Sequence, residues 1–304
     1  MLKIKERLSW VILISLLALV LMYLVGCASS EKEDSQTAGE DAAKLRVGVS
    51  IVPQASLVEA VGGDLVEVIT MIPPGASPEN YAPTPQIMGE LSQAQVYFAI
   101  GVPAERDGIL PRLAQEYSEM KVVDLASRVD QIYPALEMAP GETDPHRWMS
   151  PLRVQEMVKI IAGELAALDP ENADTYQSNA AAFQDELMQL DTEIRDSLAQ
   201  VQGKSFIVYH PAMGYFASDY GLNMIALEEE GKEAAPGRLE EVIDQAKKEN
   251  IKVIFYQAEM DSKQARTLAQ ELGGKAELIA PLAPDYIDNL SKIALTFAQV
   301  LQEQ

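Results

Sequence analysis

The chain has 304 residues, 48% of them hydrophobic, and its 46 acidic and 24 basic residues give a formal net charge of −22. A chain of this length and apolar content can bury the cores of about two domains, and so acidic a surface disfavours binding to nucleic acid or anionic lipid. Cys27 is the only cysteine, which excludes an internal disulfide and a metal cluster built from several thiolates.

Residues 1–26 have the pattern of a secretory leader, with a basic start followed by a long apolar run. The apolar run is also long enough to span a bilayer as an uncleaved anchor. The motif Leu24–Cys27, which reads Leu-Val-Gly-Cys, resembles a bacterial lipobox and favours a lipoprotein signal peptide with Cys27 as the acylated residue. The attached lipid would hold the protein at a membrane surface. Residues 27–44 are polar and poor in aromatics, which predicts a disordered tether.

Strands and helices alternate in the first half of the folded part. The sequence predicts strands at Leu45–Ile51, Leu65–Ile72, Gln95–Gly101 and Lys121–Leu125, and helices at Pro53–Gly63, Gln86–Gln93 and Leu110–Tyr117. A proline-rich loop, residues 73–85, follows the second of these strands. Strands that alternate with helices predict a parallel, doubly wound sheet.

The same alternation returns in the second half of the chain. Strands are predicted at Ser205–His210, Gly221–Leu227, Ile251–Gln257 and Ala276–Leu282, and helices at Pro236–Glu249, Asp261–Leu272 and Asp285–Gln304. The second half therefore predicts a second doubly wound sheet.

A long helical pattern separates the two halves. Between Pro170 and Gln202 there is no internal Gly or Pro, and apolar residues recur at spacings of three, four and seven. A helix of that length would extend about 48 Å, which is long enough to run along two domains. We therefore predict an α/β fold in which two doubly wound parallel-sheet domains, residues 45–169 and 203–304, are bridged by one long rigid helix, residues 170–202.

The two histidines of the chain both lie beside proline at predicted strand-to-loop edges. His146 follows Asp144-Pro145, and His210 ends its strand and precedes Pro211. Ligands of doubly wound sheets bind outside the carboxyl ends of the strands, and proline restricts the residue before it. A single loop histidine is more often a solvated residue than a ligand, and the wide separation of the two matches no local metal motif. The pattern alone therefore leaves both interpretations open.

Three stretches carry a resemblance to a known family: PPGASPENYAPTP at residues 73–85, DPHRWMSP at 144–151 and YHPAMGYFA at 209–217. In that order, with the long helix and the later segment VIFYQAEMDSKQA, they resemble the metal-binding receptors of ABC importers, the zinc and manganese group called cluster A-I or cluster 9. The resemblance covers residues 45–304. It implies two four-stranded α/β domains, one transition-metal ion in the cleft between them, and delivery of that ion to a membrane permease.

Carried over residue by residue, the resemblance assigns His146 and His210 directly as metal ligands. Where the family's first motif usually has histidine, this chain has Glu79, which is implied as a carboxylate ligand in its place. An oxygen ligand shifts the preference from Zn²⁺ toward Mn²⁺ or Fe²⁺, although only weakly, because intrinsic affinities still favour zinc.

The fourth ligand departs from the family pattern. The family usually has an aspartate before a Pro-Leu pair, and this chain has Ala280 there. The fourth protein ligand is therefore missing or moved, and its place is left to water, to another residue or to nothing. Asp285 is the nearest carboxylate in the same loop and is our predicted replacement. Glu259 and the run Glu228–Glu230 are the other candidates, although runs of charge are usually solvated surfaces.

Alternative functions are a receptor for a metal chelate such as a siderophore or corrinoid, a metal-dependent hydrolase with Glu79 as base, and an adhesion-type surface protein. The chain lacks GxSxG, P-loop and GxGxxG motifs, so an enzyme has only generic support.

We expect a non-enzymatic, monomeric receptor, lipid-anchored in the cell envelope on the extracytoplasmic side. Its expected partners are one divalent transition-metal ion and an ABC permease, and not nucleic acid.

Overall fold

Two four-stranded parallel sheets form the frame of the computed structural model, which describes residues 44–228, 234–259 and 263–304. The first sheet contains β1 (Leu45–Val49), β2 (Val66–Thr70), β3 (Val96–Ala99) and β4 (Lys121–Asp124). A short antiparallel hairpin follows, with β5 (Glu137–Ala139) and β6 (Glu142–Thr143). The second sheet contains β7 (Ser205–Val208), β8 (Asn223–Ala226), β9 (Val253–Tyr256) and β10 (Lys275–Leu278).

Both sheets have the same strand order. The first runs β2-β1-β3-β4 and the second, read from its other edge, runs β8-β7-β9-β10. The direction of the connections therefore reverses between β1 and β3 in one sheet and between β7 and β9 in the other. Crevices at such reversals are where doubly wound sheets bind ligands. The predicted fold class is confirmed.

Ten helices lie within the described residues. They are α1 (Val52–Gly62), α2 (Pro85–Leu91), α3 (Leu110–Glu116), α4 (Leu125–Asp130), α5 (Pro151–Leu168), α6 (Ala173–Leu198), α7 (Gly214–Tyr220), α8 (Pro236–Lys248), α9 (Lys263–Glu271) and α10 (Tyr286–Gln302). Helix α5 is not among the predicted helices, although the side chain of Ser150 caps its first turn and Pro151 begins it, a usual start signal for a helix.

The bridging helix α6 is shorter than predicted. A 3-10 turn, Pro170–Asn172, precedes it, and its 26 residues span about 39 Å. One face is buried by seven residues at helical spacing: Tyr176, Ala180, Phe183, Leu187, Leu190, Ile194 and Leu198. That face packs against α1 and α5 of the first half and against α7 and α10 of the second. A single rigid element therefore contacts both halves.

One continuous apolar core extends from the first sheet through α6 to the second sheet. In β7, Phe206 and Val208 belong to this main core, whereas Ile207 belongs to a smaller cluster on the other face of the second sheet, under α8 and α9. This alternation follows from the two-residue period of a strand.

No helix in the described part of the chain is both long and apolar enough to cross a membrane. The predicted signal peptide, the acylated residue Cys27 and the predicted tether up to residue 43 lie outside the described residues, as do Glu229 and Glu230.

The burial of the α6 face gives a testable prediction. Leu187 is fully buried on that face, and its neighbour Met188 is 50% exposed. Leu187→Ala is expected to lower the free energy of unfolding by about 2–5 kcal/mol, because it removes buried methylene groups and leaves a cavity. Met188→Ala, the matched control, is expected to change it by about 0.5 kcal/mol or less. Urea denaturation measures both, and equal effects would contradict the proposed packing.

Candidate metal centre

His146 is buried between the β5–β6 hairpin and a 3-10 turn at Arg147–Met149. Its backbone N and its ring Nδ1 each lie 2.8 Å from Oδ1 of Asp144. Asp144 is itself buried and donates its backbone N–H to the carbonyl of Leu136. Because the carboxylate accepts from Nδ1, the lone pair of the neutral ring lies on Nε2.

His210 is buried at the carboxyl edge of the second sheet, two residues after β7. Its Nδ1 lies 2.6 Å from Oε2 of Glu228, which follows the neighbouring strand β8. The backbone N–H of Glu228 donates to the carbonyl of Tyr209, so the pairing of the two strands brings the carboxylate to the ring. Glu228 was a candidate metal ligand in the sequence. In the structure its carboxylate instead bonds to Nδ1 of His210 and orients that ring.

The two imidazoles converge with Glu79. The Nε2 atoms of His146 and His210 are 3.1 Å apart, and Nε2 of His210 lies 3.4 Å from Oε1 of Glu79. One ligand atom from each of the three residues lies within 4.8 Å of the others. A tetrahedral ion with ligands about 2.1 Å away separates those ligands by about 3.4 Å. The two spacings at His210 are close to this value, so the three side chains lie near enough together for one ion to contact all of them.

The charge of His210 and the charges of the nearby carboxylates shift each other's pKa values. Burial lowers the pKa of His210, but its hydrogen bonds and charge interactions with Glu228 and Glu79 outweigh burial and raise the pKa to about 9. Burial raises the pKa of Glu79, but the hydrogen bond and charge of His210 outweigh burial and bring the pKa below its ordinary value. With its pKa raised in this way, His210 favours the protonated form at neutral pH, and its positive charge compensates the carboxylates of Glu79 and Glu228.

The cavity at the cluster is small. Water-sized spheres fit only within about 10 Å³ of it, which is roughly the space required by one water molecule. The walls consist of the three clustered residues with Ser77, Pro78, Trp148, Ala212, Gln257, Glu259, Pro281 and Leu282. The indole of Trp148 lies 5.1 Å from the His146 ring and donates its N–H to the carbonyl of Pro281. This contact ties the first half of the chain to the loop after β10.

The loop that carries His146 is fixed by both halves of the chain. The carbonyl of Asp144 accepts from Nη1 of Arg147 and from the hydroxyl of Tyr215, both at 2.9 Å. Arg147 also makes two 2.7 Å hydrogen bonds to the carboxylate of Asp130. On the other side, the Asp144 carboxylate packs so closely on Gly214 that a Cβ there would overlap Oδ2. The orientation of His146 therefore depends on a glycine of the second half.

The structure does not bring Asp285 to the cluster. It lies just before α10 and lines a separate open groove of about 350 Å³ with Ser56 and Glu59. The hydroxyl of Ser56 donates to the carbonyl of Pro284, which holds this part of the loop against α1 and away from the histidines. The carbonyl of Ala280 accepts from the side chain of an asparagine in α10. The loop reaches the cavity only through Pro281 and Leu282.

Two parallel sheets joined by a long helix, with two imidazoles and a carboxylate converging in an ion-sized cavity, define a solute-binding protein of the metal-binding class. Comparison with known proteins agrees, because residues 47–300 match the family described as ZnuA, zinc-uptake complex component A, periplasmic. The chain belongs to this family. The resemblance seen in the sequence is thereby confirmed.

Individual relatives agree with this assignment. The zinc-binding lipoprotein AdcA of Streptococcus pneumoniae is 28% identical over 281 residues, which cover 88% of this chain and 54% of AdcA. This chain therefore spans about half the length of AdcA. The manganese-binding lipoprotein MntA of Halalkalibacterium halodurans is 26% identical, with 84% and 83% covered. A crystal structure of ZnuA superposes with a TM-score of 0.80 at 38% identity and covers 85% of this chain and 99% of that one.

The contact between Gly214 and Asp144 gives a prediction about this site. Gly214→Ala is expected to displace the Asp144 carboxylate and to weaken Mn²⁺ and Zn²⁺ binding by about 10–100-fold, as loss of a residue that orients a ligand usually does. Gly237→Ala is the matched control, because a Cβ there meets nothing within 4 Å. Titration calorimetry of both variants tests the idea, and unchanged affinity in Gly214→Ala would refute it.

Proposed function

We propose that this protein binds one divalent transition-metal ion, Mn²⁺, Zn²⁺ or Fe²⁺, through Glu79, His146 and His210, and delivers it to the permease of an ABC importer. The observation that carries the proposal is the convergence of the only two imidazoles of the chain with Glu79. Each imidazole is held at Nδ1 by a buried carboxylate, the arrangement that supports histidine ligands in metal sites.

The charges around the cluster favour binding of a cation. A divalent ion that binds Nε2 of His210 displaces the proton held there, so metal binding releases a proton. The ion then takes over the charge compensation of Glu79 and Glu228. The strongly acidic surface raises the local concentration of cations around the protein.

The size of the cavity favours a bare ion over a chelate. Sites for organic ligands usually enclose about 300–1,000 Å³, whereas the space beside the histidines is that of about one water molecule. The described residues that line it offer imidazoles, carboxylates, the indole of Trp148, Ser77 and Gln257, with no arginine among them. A siderophore or corrinoid would require a larger and differently charged cleft.

Glu79 is the residue that bears on the choice of metal. Carboxylate oxygen is a suitable ligand for Mn²⁺ and Fe²⁺, but nitrogen and oxygen sites still bind zinc more tightly overall. The relatives include both a zinc-binding and a manganese-binding lipoprotein. We infer a shift toward Mn²⁺ or Fe²⁺ relative to an all-histidine site.

We further propose that the protein works at the extracytoplasmic side of a membrane as a lipid-anchored monomer, with acylation at Cys27 and a tether to residue 44. The division into domains 45–169 and 203–304 remains part of this proposal. Because α6 packs on elements of both halves, we expect only a small hinge motion when an ion enters or leaves.

Metal analysis of protein purified without chelator tests the function directly. We expect about one transition-metal ion per chain and loss of that ion in the His146→Ala, His210→Ala double variant, because both imidazole ligands are gone. Circular dichroism of the variant, compared with chelator-treated wild-type protein, checks that the fold persists. Stoichiometric metal in the folded double variant would rule out a site that depends on the two imidazoles.

The role of Glu79 is tested by Glu79→Gln. The amide keeps an oxygen but removes the charge, so Mn²⁺ affinity is expected to fall more than Zn²⁺ affinity. Glu241→Gln serves as control, since its side chain is 73% exposed. Competition titrations with the two metals provide the measurement. An equal or absent effect on both metals would show that Glu79 is not a ligand.

A further inference from the structure

Two polar side-chain atoms from the second half of the chain line the metal cavity and lack hydrogen-bond partners among the described residues. Oε2 of Glu259 and Nε2 of Gln257 are both buried without a hydrogen bond, and both residues line the same cavity as the histidines. A buried carboxylate oxygen without a partner costs free energy. A partner that occupies the cavity would remove this cost.

The strand order places these two residues beside His210. Gln257 directly follows β9, and His210 follows β7, which is the neighbour of β9 across the reversal of the second sheet. The backbone N–H of Tyr209 donates to the carbonyl of Phe255 at 2.7 Å, which keeps the two strand ends in register. Glu259 therefore emerges into the crevice where such sheets bind their ligands.

The other carboxylates considered as a fourth ligand are engaged or lie elsewhere. Glu228 is bonded to Nδ1 of His210, and Asp285 lines the separate groove beside α1. Ala280 has no carboxylate to offer. Glu79 and Glu259 are the two acidic residues in the wall of the metal cavity.

We propose that Glu259 is the fourth protein ligand of the metal ion, so that two imidazoles and two carboxylates bind it. This inference rests on the proposed function. The two carboxylates match the charge of a divalent ion, and the two oxygen ligands favour Mn²⁺ or Fe²⁺ more than a histidine-rich set would. Nε2 of Gln257 supplies a hydrogen-bond donor beside the same cavity, which suits a carboxylate held in a fixed orientation.

Glu259→Gln tests the proposal with little change in shape. Mn²⁺ affinity, measured by calorimetry with the metal salt alone, is expected to fall by about 10-fold or more. Glu271→Gln, an exposed carboxylate at the end of α9, is the matched control and should leave affinity unchanged. X-ray absorption spectroscopy of the Mn²⁺ form should show changed Mn–O distances in Glu259→Gln relative to the wild type, because a neutral amide oxygen is a weaker ligand than a carboxylate oxygen.

The outcomes separate this inference from the proposed function. Loss of binding in the double histidine variant, with unchanged affinity and coordination in Glu259→Gln, would overturn the role of Glu259 alone. Loss of affinity in Asp285→Asn but not in Glu259→Gln would likewise overturn it and assign the fourth position to Asp285. Retained binding in the double histidine variant would refute the proposed function itself.

Discussion

The geometry of the metal site depends on one repeated contact, a buried carboxylate bonded to Nδ1 of each histidine. Asp144 holds His146 and Glu228 holds His210, so both Nε2 atoms point into the same small cavity. Without these contacts, each ring could rotate and present either nitrogen. A fixed tautomer and a fixed orientation let two residues far apart in the chain direct their Nε2 atoms toward one point.

Each of these two carboxylates is held in place by the fold around it. Strand pairing in the second sheet brings Glu228 to its histidine, whereas contacts from both halves of the chain hold Asp144. Arg153 of α5 strengthens that junction, because its guanidinium lies 4.3 Å from the centre of the Tyr215 ring and bonds to Asp219 of α7 at 3.1 Å. Together with the bridging helix, these contacts make the cleft a nearly preformed site.

The sequence was informative where a local pattern determines the structure. Alternating strands and helices predicted both sheets, and the prolines beside His146 and His210 marked two ring positions that the structure brings together. Glu79 could be named because it stands in a family motif. The helix α5 was missed, although the Ser150-Pro151 start and the apolar spacing after it were readable signals.

The contacts that the sequence could not predict are those made across the fold. Glu228 reaches His210 because β7 and β8 are neighbours, a fact about strand order and not about spacing along the chain. Asp285 was named because it is close to Ala280 in sequence, but the loop turns toward Ser56 before reaching it. Within an irregular loop, closeness in sequence does not predict closeness in space, because the backbone can change direction at each residue.

The use of both histidines in one cleft leaves the rest of the surface without nitrogen ligands of this kind. Cys27 is the only thiol in the chain, and carboxylates alone hold soft or borderline ions weakly. An imidazole nitrogen can therefore contact an ion only in this cleft. The scarcity of histidine thus confines imidazole coordination to one place on the molecule.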